Sequence, residues 1–286
     1  MRNGRKRIVL GSFVVLILAG AMFFGSFGQA KEGGTYATSL QDIQDKGVLV
    51  VGFPKDDLLA FHEQDEDGNM SGTDVELVRQ IADSLGVDIA FKREALNNDD
   101  LTRQLENGEI DLVAATYSRT LSRAKRVLLS NPYLSIGMGV MVNKQAVVQR
   151  GVSQNPTAYL KDSDEKIAVI AGTSHVDLCR QLFPNCQLVE TASYEEATEL
   201  VKRNQVFGYF CGELEFYSEV CNDSELQIFT DVYVYSDIKD EFCIAVPKGN
   251  QELLDYVNLY LDMNQKITIE QIHNRYEEYY GMREEQ

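Results

Sequence analysis

Short apolar runs alternate with amphipathic stretches along most of the chain, and their order predicts a layered α/β protein. Val48 to Phe53 is an apolar run of strand length, followed by a loop through Phe61 and a turn at Asp67-Gly68-Asn69. Thr73 to Leu85 sets Val75, Val78, Ile81, Ala82 and Leu85 at helical spacing, with Gly86 as the stop. Val87 to Phe91 predicts a second strand. Asn98 or Asp99 caps a helix that ends at Asn107-Gly108, and Ile110 to Ala115 is a third, buried strand. This βαβαβ order is that of a parallel sheet covered by helices. A second series repeats it. Lys166 to Ala171 predicts a strand, Gly172-Thr173-Ser174 leads into a helix through about Leu182, Gln187 to Glu190 is a strand, Ser193 to Asn204 a helix and Val206 to Cys211 a strand. Apolar runs at Gly137 to Asn143 and Glu241 to Val246 join the two series, and Asn250 to Tyr280 predicts two amphipathic helices. The pattern describes two α/β lobes linked by two extended segments, a hinged clamp with its ligand between the lobes.

The chemistry concentrates where the third strand turns polar. Thr116, Ser118 and Thr120 follow Ala115 directly, and Ser118 or Thr120 is placed to cap a short helix carrying Arg123 and Arg126. Free backbone N–H groups, a favourable helix dipole and a guanidinium fork then converge on one point, which suits a carboxylate or phosphate. Thr173-Ser174 repeats a hydroxyl-rich helix start in the second lobe.

Composition narrows the partners. The net charge is −17, and since the first thirty residues hold four basic groups and no acid, residues 31–286 carry −21. Such a body repels nucleic acid and anionic lipid. Arg2, Arg5, Lys6 and Arg7 precede an uncharged stretch from Ile8 to Ala30, which predicts a targeting element exporting the rest. Two readings of residues 1–30 stay open. Gly28-Gln29-Ala30 has the form of a signal-peptidase site, whereas Ile8 to Phe27 is long enough for a membrane anchor. Residues 31–39 form a polar linker. Cys179 and Cys186 flank a short loop and are candidates for a disulfide, with buried free thiols as the alternative. His62, His175 and His273 form no zinc-ligand spacing with the cysteines, and no cofactor is expected. The oxygens from Asp65 to Glu76 imitate a calcium loop, but Met70 stands where that loop needs glycine. His175 and Cys179 lie four apart without an orienting acid, which fits core packing better than a nucleophile and base.

The motifs GVLVVG (47–52), DGNMSGTDVELVRQIADSLGV (67–87), LENGEIDLVAATYSRTLSRAKRVLLSNPY (105–133), KIAVIAGTS (166–174) and FCIAVPKGNQELLDYVN (242–258) occur in one order and spacing. In these the chain resembles the extracytoplasmic solute-binding proteins, family 3, which deliver amino acids to ABC transporters. The resemblance implies a type II periplasmic-binding-protein-like fold. Lobe one is then 40–141 with 241–286, and lobe two is the insert 142–240. It also implies that Arg123 grips a ligand carboxylate bidentately, that Thr116 and Ser118 add hydrogen bonds beside Ala115, and that Thr173 and Ser174 close from lobe two. Asp74 and Pro132 match structural positions. The chain departs from the family twice: Leu58 stands where an aromatic usually stacks on the ligand, and Gly212 where an acid usually meets its amino group, with Glu213 next to it.

The expected function is capture of a small carboxylate solute, a polar amino acid above others, by a monomer that presents it to an ABC permease. The alternative is the same clamp as a membrane-anchored sensory or interaction module. An enzyme on this scaffold, such as a dehydratase, is disfavoured because no paired acid and base is visible in the cleft-facing segments.

Overall fold

The computed structural model describes residues 39–152, 156–223, 225–264 and 266–284. The expected targeting element and most of the linker lie outside them. No helix among the described residues is long and apolar enough to cross a membrane. In chain order the first part comprises α1 (Leu40–Lys46), β1 (Val48–Pro54), β2 (Glu63–Gln64), β3 (Met70–Ser71), α2 (Thr73–Leu85), β4 (Asp88–Ala95), α3 (Asn98–Glu106), β5 (Leu112–Val113), α4 (Leu121–Ala124) and β6 (Leu128–Asn143). Next come α5 (Lys144–Gln149), α6 (Pro156–Asp162), β7 (Lys166–Ile170), α7 (Ser174–Leu182), β8 (Gln187–Thr191), α8 (Tyr194–Lys202), β9 (Gly208–Gly212), α9 (Glu213–Asn222) and α10 (Leu226–Phe229). The chain closes with β10 (Thr230–Val246), α11 (Gln251–Met263) and α12 (Ile269–Glu284).

Among the described residues one sheet has the order β4-β1-β5-β10-β6-β9-β7-β8. The parallel trio β4-β1-β5 and the parallel trio β9-β7-β8 flank a central antiparallel pair, β10 and β6. Parallel strands need helical crossovers, which is why each trio alternates with helices in sequence. The two apolar runs expected as connections are the ends of far longer strands, 16 residues in β6 and 17 in β10. Neither run alternates cleanly, because both strands are covered on two faces over much of their length. Their register slips between Val234 and Lys239, opposite Gly139 and Gly137. The cores divide at the same place. One core gathers residues from Ile43 to Ile136 with Leu214 and Phe242 to Tyr276, and two smaller ones gather other buried apolar residues between Met138 and Leu226.

Local chemistry explains most boundaries. Burial of Val75, Val78, Ile81, Ala82 and Leu85 and the left-handed Gly86 define α2 as its spacing predicts. Helix α3 is capped one residue earlier than expected, by Asn97, whose side chain accepts from the N–H groups of Asp99 and Asp100. The strand expected over Ile110 to Ala115 shrinks to Leu112–Val113, since only these residues pair with β1 and β10 before the chain leaves the sheet at Thr116, whose φ is 45°. Asp74, fully buried in the first turn of α2, secures that departure: Oδ2 accepts from Thr116 N–H and Oδ1 from the Tyr133 hydroxyl, both at 2.8 Å. Burial pushes the Asp74 carboxyl up, opposed by bonds from His62, Tyr133 and Thr116. All five cysteines are free thiols, Cys179 and Cys186 included, so the disulfide alternative gives way. Cys186 Sγ instead donates to the Leu160 carbonyl. In the calcium-like segment Asp65 is occupied by Asn69, accepting from its N–H and its amide nitrogen.

Gly72 opens α2 at φ 111°, and a Cβ there would stand 2.3 Å from the Phe61 carbonyl oxygen. That carbonyl and its neighbour at Ala60 accept the first N–H groups of the helix, from Asp74 and Thr73. Gly72→Ala therefore adds backbone strain to a clash that only backbone movement relieves. It is expected to cost about 2–5 kcal/mol in urea unfolding; a loss below about 1 kcal/mol would show that the loop yields freely.

Candidate functional site

The site begins with the chain that leaves β5. Residues 117–119 pair with β10: Cys243 N–H donates to Tyr117 O at 3.0 Å and Arg119 N–H to Glu241 O at 2.8 Å, with Ser118 bridged to Phe242. The Thr120 hydroxyl then caps α4 by accepting from Arg123 N–H at 3.2 Å, as expected. One helical turn thus returns Arg123 over the segment it came from. Its guanidinium carbon lies 4.2 Å from the centre of the Tyr117 ring, and Nη1 donates to Ser118 O at 2.7 Å. The Tyr117 hydroxyl is 2.5 Å from Thr102 Oγ1, which holds the ring in place; burial pushes this phenol up. Arg123 is only 8% exposed and has no carboxylate partner among the described residues. A buried guanidinium supported by a ring face and one carbonyl keeps donors free for an anion.

Arg123 lines a cavity of about 590 Å³. Thr120, Thr173, Ser174, His175, Lys239 and Asp240 are on its wall, so α4, the start of α7 and the slipped segment of β10 meet there. Ser174 Oγ donates to Ser118 Oγ at 3.0 Å, and Ser118 Oγ donates to Asp240 Oδ2 at 2.8 Å. His175 Nε2 is 3.2 Å from the same oxygen. Residues of both lobes are therefore joined directly. Burial pulls the His175 imidazole down most strongly, but the Asp240 bond with the charges of Glu215 and Asp240 outweighs it, so its pKa lies above the ordinary value; Arg123 opposes this rise.

The remaining expected residues are arranged differently. Thr116 turns its hydroxyl to the carbonyl of Ala115, and Ala115 is buried in the first core. Leu58 packs on that core and pairs with His62. Glu213 Oε1 accepts from Gly137 N–H at 2.5 Å, tying α9 to the point where β6 passes between the lobes. Thr173 lines the cavity while its hydroxyl donates to Ile170 O. Two acids escaped the sequence reading. Asp240 belongs to a run of exposed-looking charges, and its approach to Ser118, 122 residues away, depends on the β10 register. Glu215, near Gly212 in place of the expected acid, has a buried Oε2 with no partner among the described residues, and burial pushes its carboxyl up.

Residues 49–279 match the sequence profile of the bacterial extracellular solute-binding proteins, family 3. The chain is 25% identical over 255 residues to the ABC transporter glutamine-binding protein GlnH of Bacillus subtilis strain 168, covering 87% of this chain and 88% of that one. It is 26% identical over 260 residues to the L-cystine-binding protein TcyJ of Escherichia coli K12, covering 88% of each. The crystal structure of the ancestral amino-acid-binding protein AncCDT-1, described as a precursor of cyclohexadienyl dehydratase, superposes with a TM-score of 0.61 at 23% identity, over 84% of this chain and 98% of that one. The fold is thus the type II two-lobe clamp, as expected.

Because the folded pKa of His175 is raised, the stability its charged form provides is complete below the ordinary imidazole value of about 6.5 and is lost as pH rises through the higher folded value. Thermal unfolding should show the melting temperature falling over that window, and the fall should shrink in Asp240→Asn. Burial also pushes the carboxyls of Asp74 and Glu215 up, so the difference between the two proteins is the informative quantity. Identical slopes would show that the His175–Asp240 contact carries no charge.

Proposed function

The chain belongs to the bacterial extracellular solute-binding proteins, family 3, and on that premise we propose that it captures a small carboxylate-bearing solute, a polar amino acid, outside the cytoplasm and presents it to an ABC permease. The observation that carries this reading is Arg123: a buried guanidinium without an acidic partner among the described residues, facing a cavity walled by hydroxyls from both lobes. Amino-acid binding by the relatives GlnH and TcyJ agrees with it. In this reading Arg123 takes the carboxylate as a two-pronged donor, and the α7 start at Thr173 and Ser174 closes over it. The lobe limits in this reading are 40–141 with 241–286 against 142–240; the division of the cores supports them, with Leu214 of the second segment packing in the first core. Leu58 and Glu213 then act through packing and through the hinge, not as contacts.

We assign binding rather than catalysis to the cavity. Ser118, Ser174, His175 and Asp240 are the residue types of an acyl-transfer site, but Ser118 donates to the carboxylate and not to the imidazole. His175 Nδ1 has no partner among the described residues, so the imidazole has no serine proton to accept in this arrangement. The work is closure: a ligand that contacts both lobes favours the closed state only by its extra affinity for that state.

Thermal shift against amino acids and simple carboxylates tests the reading, since a ligand at a hundred times its Kd adds about 2.7 kcal/mol of stability. For the ligand so found, Arg123→Ala should weaken binding by at least about a hundredfold in calorimetry, the consequence of leaving a buried carboxylate unpaired. Arg123→Lys should recover part of the affinity, because a point charge replaces the fork. Unchanged affinity in Arg123→Ala would overturn the site.

A further inference from the structure

Arg123 and Arg126 stand three residues apart, and α3 treats them oppositely. Arg126, half-buried, holds the Glu106 carboxylate with two donors, Nε to Oε1 at 2.8 Å and Nη2 to Oε2 at 2.5 Å. Thr102, one helical turn before Glu106 on α3, serves Arg123 instead, and only through a third side chain. Its hydroxyl donates to Asn98 O at 2.8 Å, so its single proton is committed there, and the 2.5 Å contact with Tyr117 is one that the phenol donates. The guanidinium carbon of Arg123 then lies 4.2 Å from the centre of the Tyr117 ring. Tyr117 and Thr102 are both fully buried, and neither is on the cavity wall.

A buried guanidinium needs compensation for the water it loses, and the form of that compensation decides what it can still bind. A carboxylate would neutralise it and occupy its fork, as Glu106 does at Arg126. A ring face attracts the cation without supplying a charge that cancels it. An aromatic face attracts more strongly as its electron density rises, and a phenol that donates a hydrogen bond becomes more electron-rich. The Thr102 hydroxyl therefore bears on Arg123 in two ways, by fixing the tilt of the ring and by polarising it. Resting on the reading of the cavity as a carboxylate clamp, we propose that Tyr117 and Thr102 are positioning residues of the binding site. The ring stands in for a counter-ion, holding Arg123 in place yet unneutralised, and the Thr102 hydroxyl sets ligand affinity from behind the cavity wall. Arg126 has no such role, because its fork is already taken.

Calorimetry on the full chain tests it, with the twenty standard L-amino acids, L-cystine, acetate and succinate as probes and the tightest binder carried through the variants. Thr102→Val keeps the side chain's shape but removes the acceptor, and should weaken that binder by about three- to tenfold. Thr102→Ser returns the hydroxyl and should bring the affinity back to within about twofold of wild type. Tyr117→Leu deletes the ring and should weaken binding at least about tenfold; if it does not fold, Thr102→Val against Thr102→Ser decides alone. In an Arg123→Lys background the loss from Thr102→Val should shrink, because a point charge has no fork to aim. A loss by the same factor in both backgrounds would show that Thr102 acts through the fold at large and overturn the inference. Wild-type affinity in Thr102→Val, or equal weakening in Thr102→Val and Thr102→Ser, would overturn it as well. Unchanged affinity in Arg123→Ala, or binding of none of the probes, would remove the clamp and this inference together. A loss in Arg123→Ala with none in Tyr117→Leu and Thr102→Val would remove the inference and spare the clamp.

Discussion

The antiparallel pairing of β6 with β10 is the constraint on which the rest of the molecule depends. These two strands run through both lobes, and each parallel trio of the sheet is attached to one side of the pair. A sheet continues by hydrogen bonding neighbour to neighbour, so the orientation of everything outside the pair follows from its register. The register slips most widely between Val234 and Lys239, where the cores also part. A slip leaves residues without ladder partners and lets a strand bend. The same irregularity that separates the lobes delivers Lys239 and Asp240 to the cavity.

Polar satisfaction then arranges the cleft in two tiers. Behind the cavity, Asp74 absorbs the Thr116 N–H and the Tyr133 hydroxyl at the point where the chain abandons the sheet. Facing it, Ser118 accepts Arg123 with its carbonyl and reaches Asp240 with its hydroxyl. Backbone and side chain of a single residue thus keep opposite charges apart in a medium where they would otherwise attract strongly. Asp240 has His175 beside it at 3.2 Å, whereas Arg123 has no acidic partner among the described residues, and a cleft without such a charge would hold a polar solute weakly.

Closure is written into the same contacts. Ser174, from the start of α7, meets Ser118 of the first lobe directly, and His175 beside it meets Asp240 of β10, so the contact between the lobes is polar here. Glu213, bonded to Gly137, anchors α9 to the crossing strand and couples the second lobe to the hinge. On the far side Tyr217 of α9 stacks on His273 of α12 at 3.8 Å, and α9, with Leu214 in the first core and Phe216 in another, spans the division between the cores. A clamp braced on both sides moves between few arrangements, the condition for a ligand to shift a population rather than deform a continuum.

The sequence alone determined the alternation of strands and helices, the hydroxyl-rich starts at Thr120 and Thr173, and the prominence of Arg123, because each rests on spacing or on chemistry within a few residues. The helix α2 and its Gly86 stop were legible for the same reason. What depended on distant pairing was not. The strand at Ile110 to Ala115 shortened because its neighbours in the sheet limited it, and the expected connections proved to be the ends of β6 and β10. Thr116 and Leu58 turned to internal partners that no local pattern announces. Asp240 entered the site only through a register that joins it to a serine 122 residues earlier. Local propensity sets the elements and places Arg123, and the tertiary fold, which alone brings remote residues such as Asp240 beside it, decided the rest of the cavity wall.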